Sequence, residues 1–282
     1  MSISTTRRGL LAASAWAVPT VVVAAASPVH ATSLSQCRDV NYTLNWAGAG
    51  YSFRPNATGA PTGAGLGTAP ATLTTQGLTA SQIAAAKPLV VTATNAFTGA
   101  RMRGATSGSY QNMRVSPGNI GGLRSRGLTL LQDLGTSSSS HGATSLVRQG
   151  HSQVLTLGFN RPVKNLQFTV TDIDSANGQY QDRLIVSGTR TFTFASALTG
   201  NGTPATTQAA TASTWPFRNT GTNSSYDPAT SGAGNVTVNY GPTTGVSTVQ
   251  VTFWNDQAGN NLDNNGLQGI FISDLTFTAM TC

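Results

Sequence analysis

Three aspartates are spaced so that they could act together: Asp172 and Asp174, separated by Ile173, and Asp182 further along. Side chains alternate across a strand, so Leu166, Phe168, Val170, Asp172 and Asp174 are expected on one face, provided that no bulge intervenes. Asp182 has the parity of Leu184 and Val186 in the next apolar run. Three carboxylates would then lie on core faces where two strands meet a turn over residues 175–181. A buried carboxylate without a partner is costly. Something must compensate: a hard cation with oxygen ligands, an arginine such as Arg183, or backbone N–H groups of the turn. Calcium suits Asp, Asn and carbonyl oxygens, whereas no His or Cys cluster suits zinc. The segment is not an EF-hand, because Gly178 falls at position seven counted from Asp172 rather than six, and no glutamate closes the loop. Two readings stand: calcium held by Asp172, Asp174 and Asp182, or a turn held by aspartate hydrogen bonds and Arg183.

A second polar cluster runs from Asn255 to Gly266 and includes Asp256, Asn260 and Asp263. Asn and Asp stabilise turns and tolerate left-handed backbone. The same groups hydrogen-bond sugar hydroxyls, and Trp254, on the face opposite Val251 and Phe253, could stack on a pyranose ring. Trp254, Asn255, Asp256, Asn260 and Asp263 are thus the expected ligand-binding set, with Trp215 and Tyr226 as further aromatic candidates. Catalysis has less to work with. Glycosidases use two carboxyl groups, and the chain contains no glutamate, so any pair must be aspartates. His141 and His151 have serines nearby (Ser138, Ser139, Ser140, Ser152), but there is no Gly-x-Ser-x-Gly elbow and no phosphate-binding glycine loop.

The elements that position these groups read as strands. Alternation with period two recurs, at Leu155 to Phe159, Leu166 to Val170, Leu184 to Val186, Thr191 to Phe194, Val236 to Tyr240, Val249 to Phe253 and Ile270 to Phe277. Tyr42 to Trp46, Leu89 to Thr94, Met113 to Val115 and Leu128 to Leu131 are weaker candidates. Asn160-Arg161-Pro162 reads as a turn. Residues 53–72 and 197–234 read as long loops, and Ala80 to Lys87 as the one short helix. Roughly eleven short strands between Gly, Asn, Pro and Ser clusters predict an all-β, antiparallel, jelly-roll-like sandwich. The absence of glutamate and the presence of only two lysines also disfavour helices.

The first residues address the compartment. Arg7-Arg8 opens a basic segment, an apolar run from Leu10 to Ala26 follows, and Val29-His30-Ala31 supplies small residues at the cleavage positions. That order is a secretory signal, and its apolar run is short for a membrane span. The paired arginines resemble a twin-arginine export signal, although Gly9 takes the variable position and no lysine follows the leucines. The expectation is a signal peptide over residues 1–31, a single β-domain over 32–282 and an extracellular mature protein with no membrane span. The two cysteines, Cys37 and Cys282, lie at opposite ends of the mature chain and are expected to form a disulfide outside the cell. Without Arg7 and Arg8, 14 basic residues face nine aspartates. No acid lies between Asp39 and Asp133, while seven bases do. A basic face would attract a glycan or cell-wall polymer; no specific nucleic acid is expected. The halves of a sandwich interleave in space, however, so asymmetry along the chain need not become a patch.

Phe159-Asn160-Arg161-Pro162-Val163, the stretch Leu166 to Asp174, and Gly269 to Phe277 resemble a jelly-roll-type module of secreted and surface-displayed actinobacterial proteins. The resemblance covers about the last 150 residues, implies the fold, and brings no assigned activity with it. The expected function is a secreted binding or adhesive surface module, carbohydrate-binding with a structural calcium site. The rivals are an aspartate-dependent secreted hydrolase and an ice- or mineral-binding protein built on threonine ladders such as Thr169/Thr171 and Thr191/Thr193.

Overall fold

The computed structural model describes residues 37–48, 50–56, 62–99, 102–133, 150–177, 179–203, 216–256 and 267–281. From Cys37 onward the chain forms one compact unit. Its described strands are β1 (Arg38–Leu44), β2 (Ser52–Pro55), β3 (Gly65–Leu73), β4 (Leu89–Phe97), β5 (Arg103–Gly104), β6 (Leu128–Asp133), β7 (Gln153–Thr171) and β8 (Ser175–Ala176). They continue with β9 (Tyr180–Val186), β10 (Thr191–Phe194), β11 (Leu198–Thr199), β12 (Arg218–Asn219), β13 (Val236–Asn239), β14 (Val246–Asn255), β15 (Gln268–Ile272) and β16 (Leu275–Thr281). One helix, α1 (Ala80–Ala85), starts at a capping box in which Thr79 and Gln82 satisfy each other's backbone N–H groups. None of the described helices is long and apolar enough to cross a membrane.

The fold is all-β and antiparallel, sandwich-like, and organised by β7. This 19-residue strand pairs through its first half with β4 and β14, and through its second half with β16, β13 and β15. The path β7–β4–β3–β1–β16 returns to β7, which closes a ring and removes its edges. Asn160-Arg161-Pro162 is therefore not the expected turn. It is the point where one strand changes partners: the β14 register jumps there, from Thr248 opposite Gly158 to Val246 opposite Val163. Proline has no N–H to offer a ladder and is tolerated where pairing is interrupted. A strand that switches sheets at such an irregularity makes a sandwich corner.

Other differences have equally local causes. The expected loop over residues 53–72 contains β2 and most of β3. Its Gly, Ala and Pro composition hides a strand whose small residues are required by close packing. A Cβ at Gly65 would strike the Arg54 carbonyl oxygen, and one at Gly67 would meet the Tyr51 hydroxyl at 2.8 Å. The expected strand Met113 to Val115 reduces to a single bridge from Val115 to Leu128, because Met113 takes a positive φ of 59°. Ile270 to Phe277 divides into β15 and β16 at Ser273-Asp274, where Trp46 closes the gap: its indole N–H donates to the Ser273 carbonyl (2.8 Å) and its backbone N–H to Asp274 Oδ1 (2.9 Å).

The core is the set of inward-facing residues on these strands, with Leu44, Leu89, Leu155, Leu157, Phe168 and Phe253 among those shut off from solvent. The first and last strands are neighbours, with Arg38 opposite Thr281. No described cysteine is free; Cys282 lies outside the described residues. Of the two threonine pairs, Thr169 and Thr171 are buried and form no exposed ladder, whereas Thr191 and Thr193 are exposed on the four-residue β10.

Candidate functional site

β7 delivers the first aspartate, but not as simple alternation predicts. The strand ends at Thr171, and Asp172 adopts a left-handed backbone with φ of 69°. That one residue shifts the phase, so Ile173 enters the core in the place expected for Asp172. Aspartate is among the residues that tolerate this region. Gly234 makes the kink fit. The Ile173 N–H donates to the Gly234 carbonyl at 3.1 Å, and a Cβ at Gly234 would meet the Ile173 nitrogen at 2.7 Å.

Asp174 and Asp182 then face each other across the hairpin of β8 and β9. The Asp174 N–H donates to Asp182 Oδ2 (3.2 Å), and the Asp182 N–H donates to the Asp174 carbonyl (3.0 Å). A second segment, residues 217–228, covers this turn. Ser175 and Ser224 exchange backbone hydrogen bonds of 3.2 and 2.7 Å. The Tyr226 N–H donates to Asp174 Oδ2 at 2.8 Å, and the Tyr180 hydroxyl reaches the same oxygen at 3.4 Å and Ser225 Oγ at 3.1 Å. Asn219 holds the Tyr226 hydroxyl at 2.7 Å.

The three carboxyl groups form the floor of a cavity of about 270 Å³, walled by Tyr110, Tyr180, Tyr226 and Phe271. Tyr110 leans on Phe271 with ring centroids 5.6 Å apart. Loss of hydration dominates the electrostatics. Burial pushes Asp172 up to about 8, with repulsion from Asp174 and Asp227 adding to it. Burial also lifts Asp174, to about 6, against the opposing hydrogen bonds from Tyr226 and Tyr180. Asp182, fully enclosed and beside Asp174, is held well above the ordinary carboxyl range. Tyr180 rises to about 12, chiefly through burial. Near neutral pH Asp172 and Asp182 thus tend to keep their protons while Asp174 is largely ionised, and each protonated carboxyl is both a donor and an acceptor. Asp172 Oδ1 and Asp182 Oδ1 are nevertheless buried without a hydrogen-bond partner.

Arg183 is not the compensating partner that the sequence offers. One position along β9 from Asp182, it points to the opposite face. There it pairs with Asp256 at 3.0 Å and caps the Asp182 carbonyl and the Gln181 side chain. Backbone N–H groups, from Asp174 and Tyr226, do the satisfying instead. Nor do the aspartates converge as metal ligands: among the described residues no group of three or more His, Cys, Asp or Glu side chains is arranged to hold a metal ion.

The expected sugar platform is used internally. Trp254 is only 4% exposed and offers no ring face to a pyranose. Asn255 ties β14 to the β8–β9 turn, accepting from the Gln181 N–H at 3.0 Å and donating to the Gln179 carbonyl at 3.2 Å. Asp256 neutralises Arg183. Asn260, Asp263 and Trp215 lie outside the described residues, as do His141 and Ser138–Ser140. Ser152 is buried against Thr98, with the two hydroxyls 2.9 Å apart, so it is not poised as a nucleophile. Of the aromatic candidates, Tyr226 lines the cavity; Tyr110, Tyr180 and Phe271 carried no local signal of their role.

Compared with protein-family models, curated proteins and solved structures, the chain matches none.

Proposed function

We propose that the chain is an exported binding module whose ligand is a small polar group seated over Asp172, Asp174 and Asp182. The observation that carries the reading is a floor of buried carboxyl groups, two of them with an unpartnered oxygen, open to an aromatic-walled cavity. At about 270 Å³ the space lies just below the usual range of small-molecule pockets, which favours a head group or single ring over a polymer bound along a groove. A hydrolase is the second reading, supported by Asp174 and Asp182 facing each other across the β8–β9 hairpin, where the Asp174 N–H donates to Asp182 Oδ2. Two carboxyl groups buried within one hairpin turn are not the open pair, at least about 5 Å apart, that flanks a scissile glycosidic bond; binding is therefore preferred.

A thermal-shift screen of monosaccharides and small amines tests the reading. A ligand at a hundred times its dissociation constant should stabilise the protein by about 2.7 kcal/mol and raise Tm by roughly 5–10 °C. The shift should shrink in Asp182→Asn. A panel that shifts neither protein, or turnover of an aryl glycoside abolished by Asp174→Asn, would favour another role.

Export is the other half of the proposal, resting on the Arg7-Arg8 segment, the apolar run and the small residues before Thr32. In the oxidising exterior Cys37 and Cys282 would bond, because their chain neighbours Arg38 and Thr281 lie opposite each other on β1 and β16. The intact mass of protein from culture supernatant should correspond to a chain starting near Thr32 and rise by two hydrogens on reduction. A full-length cytosolic product, or two free thiols in exported material, would refute it.

A further inference from the structure

We infer that the group bound over Asp172, Asp174 and Asp182 is a cation, specifically an alkylammonium head group. The inference rests on the cavity proposed above as a ligand site and names the chemistry that fits it. Its first support is Asp182. This side chain is 1% exposed, lines the cavity, and leaves Oδ1 without a hydrogen-bond donor. Asp172 Oδ1 is in the same position. A buried acceptor left unsatisfied is a penalty that a ligand donor removes.

The second support is charge. Asp172, Asp174 and Asp182 repel one another, Asp227 adds to the field at Asp172, and among the described residues lining the cavity none is basic. Arg183, the nearest cation in sequence, is committed to Asp256 on the opposite face. A neutral sugar would relieve the hydrogen-bond deficit but would answer neither the charge on Asp174 nor the repulsion that opposes ionisation of Asp172 and Asp182. A cation relieves both. The walls point the same way, because Tyr110, Tyr180, Tyr226 and Phe271 line the cavity, and aromatic rings beside an acidic floor attract ammonium groups through cation–π contact.

A bare divalent ion fits less well. Calcium needs six to eight oxygens drawn in to about 2.3–2.6 Å. Here Asp174 Oδ2 already accepts from the Tyr226 N–H and the Tyr180 hydroxyl, and the carboxyl groups do not converge as a ligand set. An alkylammonium group is larger, carries its own donors or methyl groups, and tolerates looser spacing.

Titration calorimetry with n-butylammonium and tetramethylammonium chloride tests this, with methyl glucoside and calcium chloride as comparison probes. Binding a cation should displace protons from the floor. Affinity should therefore rise between pH 6 and pH 8, by up to about tenfold per pH unit while one proton leaves per ligand, and the heat should depend on the ionisation enthalpy of the buffer. Asp182→Asn keeps an oxygen for the Asp174 N–H; it should weaken ammonium binding by about tenfold or more. Tyr110→Leu should weaken it by roughly threefold through loss of one ring face. Ammonium binding that ignores pH or survives Asp182→Asn unchanged overturns the inference. So does stabilisation by calcium with no response to either ammonium salt. Methyl glucoside binding that depends on Asp182, with no ammonium binding, overturns the inference while leaving the cavity as a ligand site. If no probe binds, the inference falls, and the wider ligand panel decides the fate of the site.

Discussion

Raising the pH from 5 to 8.5 should destabilise the ligand-free protein by on the order of 3–6 kcal/mol, a drop in Tm of roughly 10 °C or more. The sign follows from proton counting. In the unfolded chain these aspartates ionise near pH 4. In the folded protein Asp172 holds its proton until about pH 8, Asp174 until about pH 6, and Asp182 beyond the ordinary range. Between pH 4 and pH 8 the folded state therefore binds more protons than the unfolded state, and stability falls as pH rises. The penalty is absent below pH 4, grows across that window, and is fully present for Asp172 above about pH 8. The magnitude given is well below the sum of the individual contributions, because water entry and side-chain movement relieve part of the strain once charge appears. Asp182→Asn removes the most enclosed of the three ionising groups while keeping an acceptor for the Asp174 N–H. It should leave Tm near pH 5 little changed, raise it at pH 8.5, and flatten the slope. Arg183→Ala is the contrast: it breaks the Asp256 pair on the opposite face and removes the positive charge that favours ionised Asp182, so it should lower Tm at every pH and steepen the slope rather than flatten it. Melting curves of the three proteins over this range decide the matter. A stability that stays level or rises toward pH 8.5 would mean that the floor has a counter-charge after all.

How much of this could be read from residue order depends on how local each determinant is. Period-two alternation located β4, β9, β13 and β14 because burial on one face of a strand is written in the strand itself. It could not reveal that β7 runs through Pro162, since the change of partner is decided by β14 and β16, far away in sequence. It also missed β3, whose buried positions are Gly65, Gly67 and Ala69 rather than large apolar residues. The aspartate cluster was legible as a cluster, because Asp172, Asp174 and Asp182 lie on either side of one turn. Its solution was not. The left-handed backbone at Asp172 depends on Gly234 passing close by, and the hydrogen bond that restrains Asp174 comes from Tyr226. The cavity walls draw on four separate stretches of chain, and only the folded topology brings these together. Trp254 misled for the opposite reason: a tryptophan beside Asn and Asp looks the same in sequence whether its ring is exposed or buried.

Phe217→Ala should be the most damaging single change away from the aspartates, and it should reach the site without touching it. Phe217 is 0% exposed, packs edge-on against Phe192 with centroids 4.9 Å apart, and leans on Phe194 at 6.1 Å. Gly202 lies so close to its ring that a Cβ there would collide with it. Its backbone is bonded twice to Leu184 of β9, at 3.0 and 2.9 Å. Truncating a buried phenylalanine costs about 3–5 kcal/mol, and the lost ring pairs add to that. A fall in Tm of roughly 8–16 °C is expected for a chain of this size. The loss should not be spread evenly. Phe217 anchors the start of the segment that runs through Asn219 to Tyr226, and that segment closes over Asp174 through Ser224 and Tyr226. Its other ties are hydrogen bonds, paired at Ser175–Ser224 and along β11–β12 and single from Tyr226 to Asp174, and these open more readily once the buried anchor is gone. Native-state hydrogen exchange separates the two levels. The Tyr226 and Ser224 amides should gain exchange by more than the global loss of stability accounts for, whereas the β1–β16 amides opposite Phe277 and Ala279 should follow global unfolding alone. If all of these amides accelerate by the same factor, Phe217 is a core residue and nothing more; if the Tyr226 and Ser224 amides respond first, the aspartate floor owes its covered state to a core aromatic residue bridged to Leu184 of β9 and outside the cavity lining.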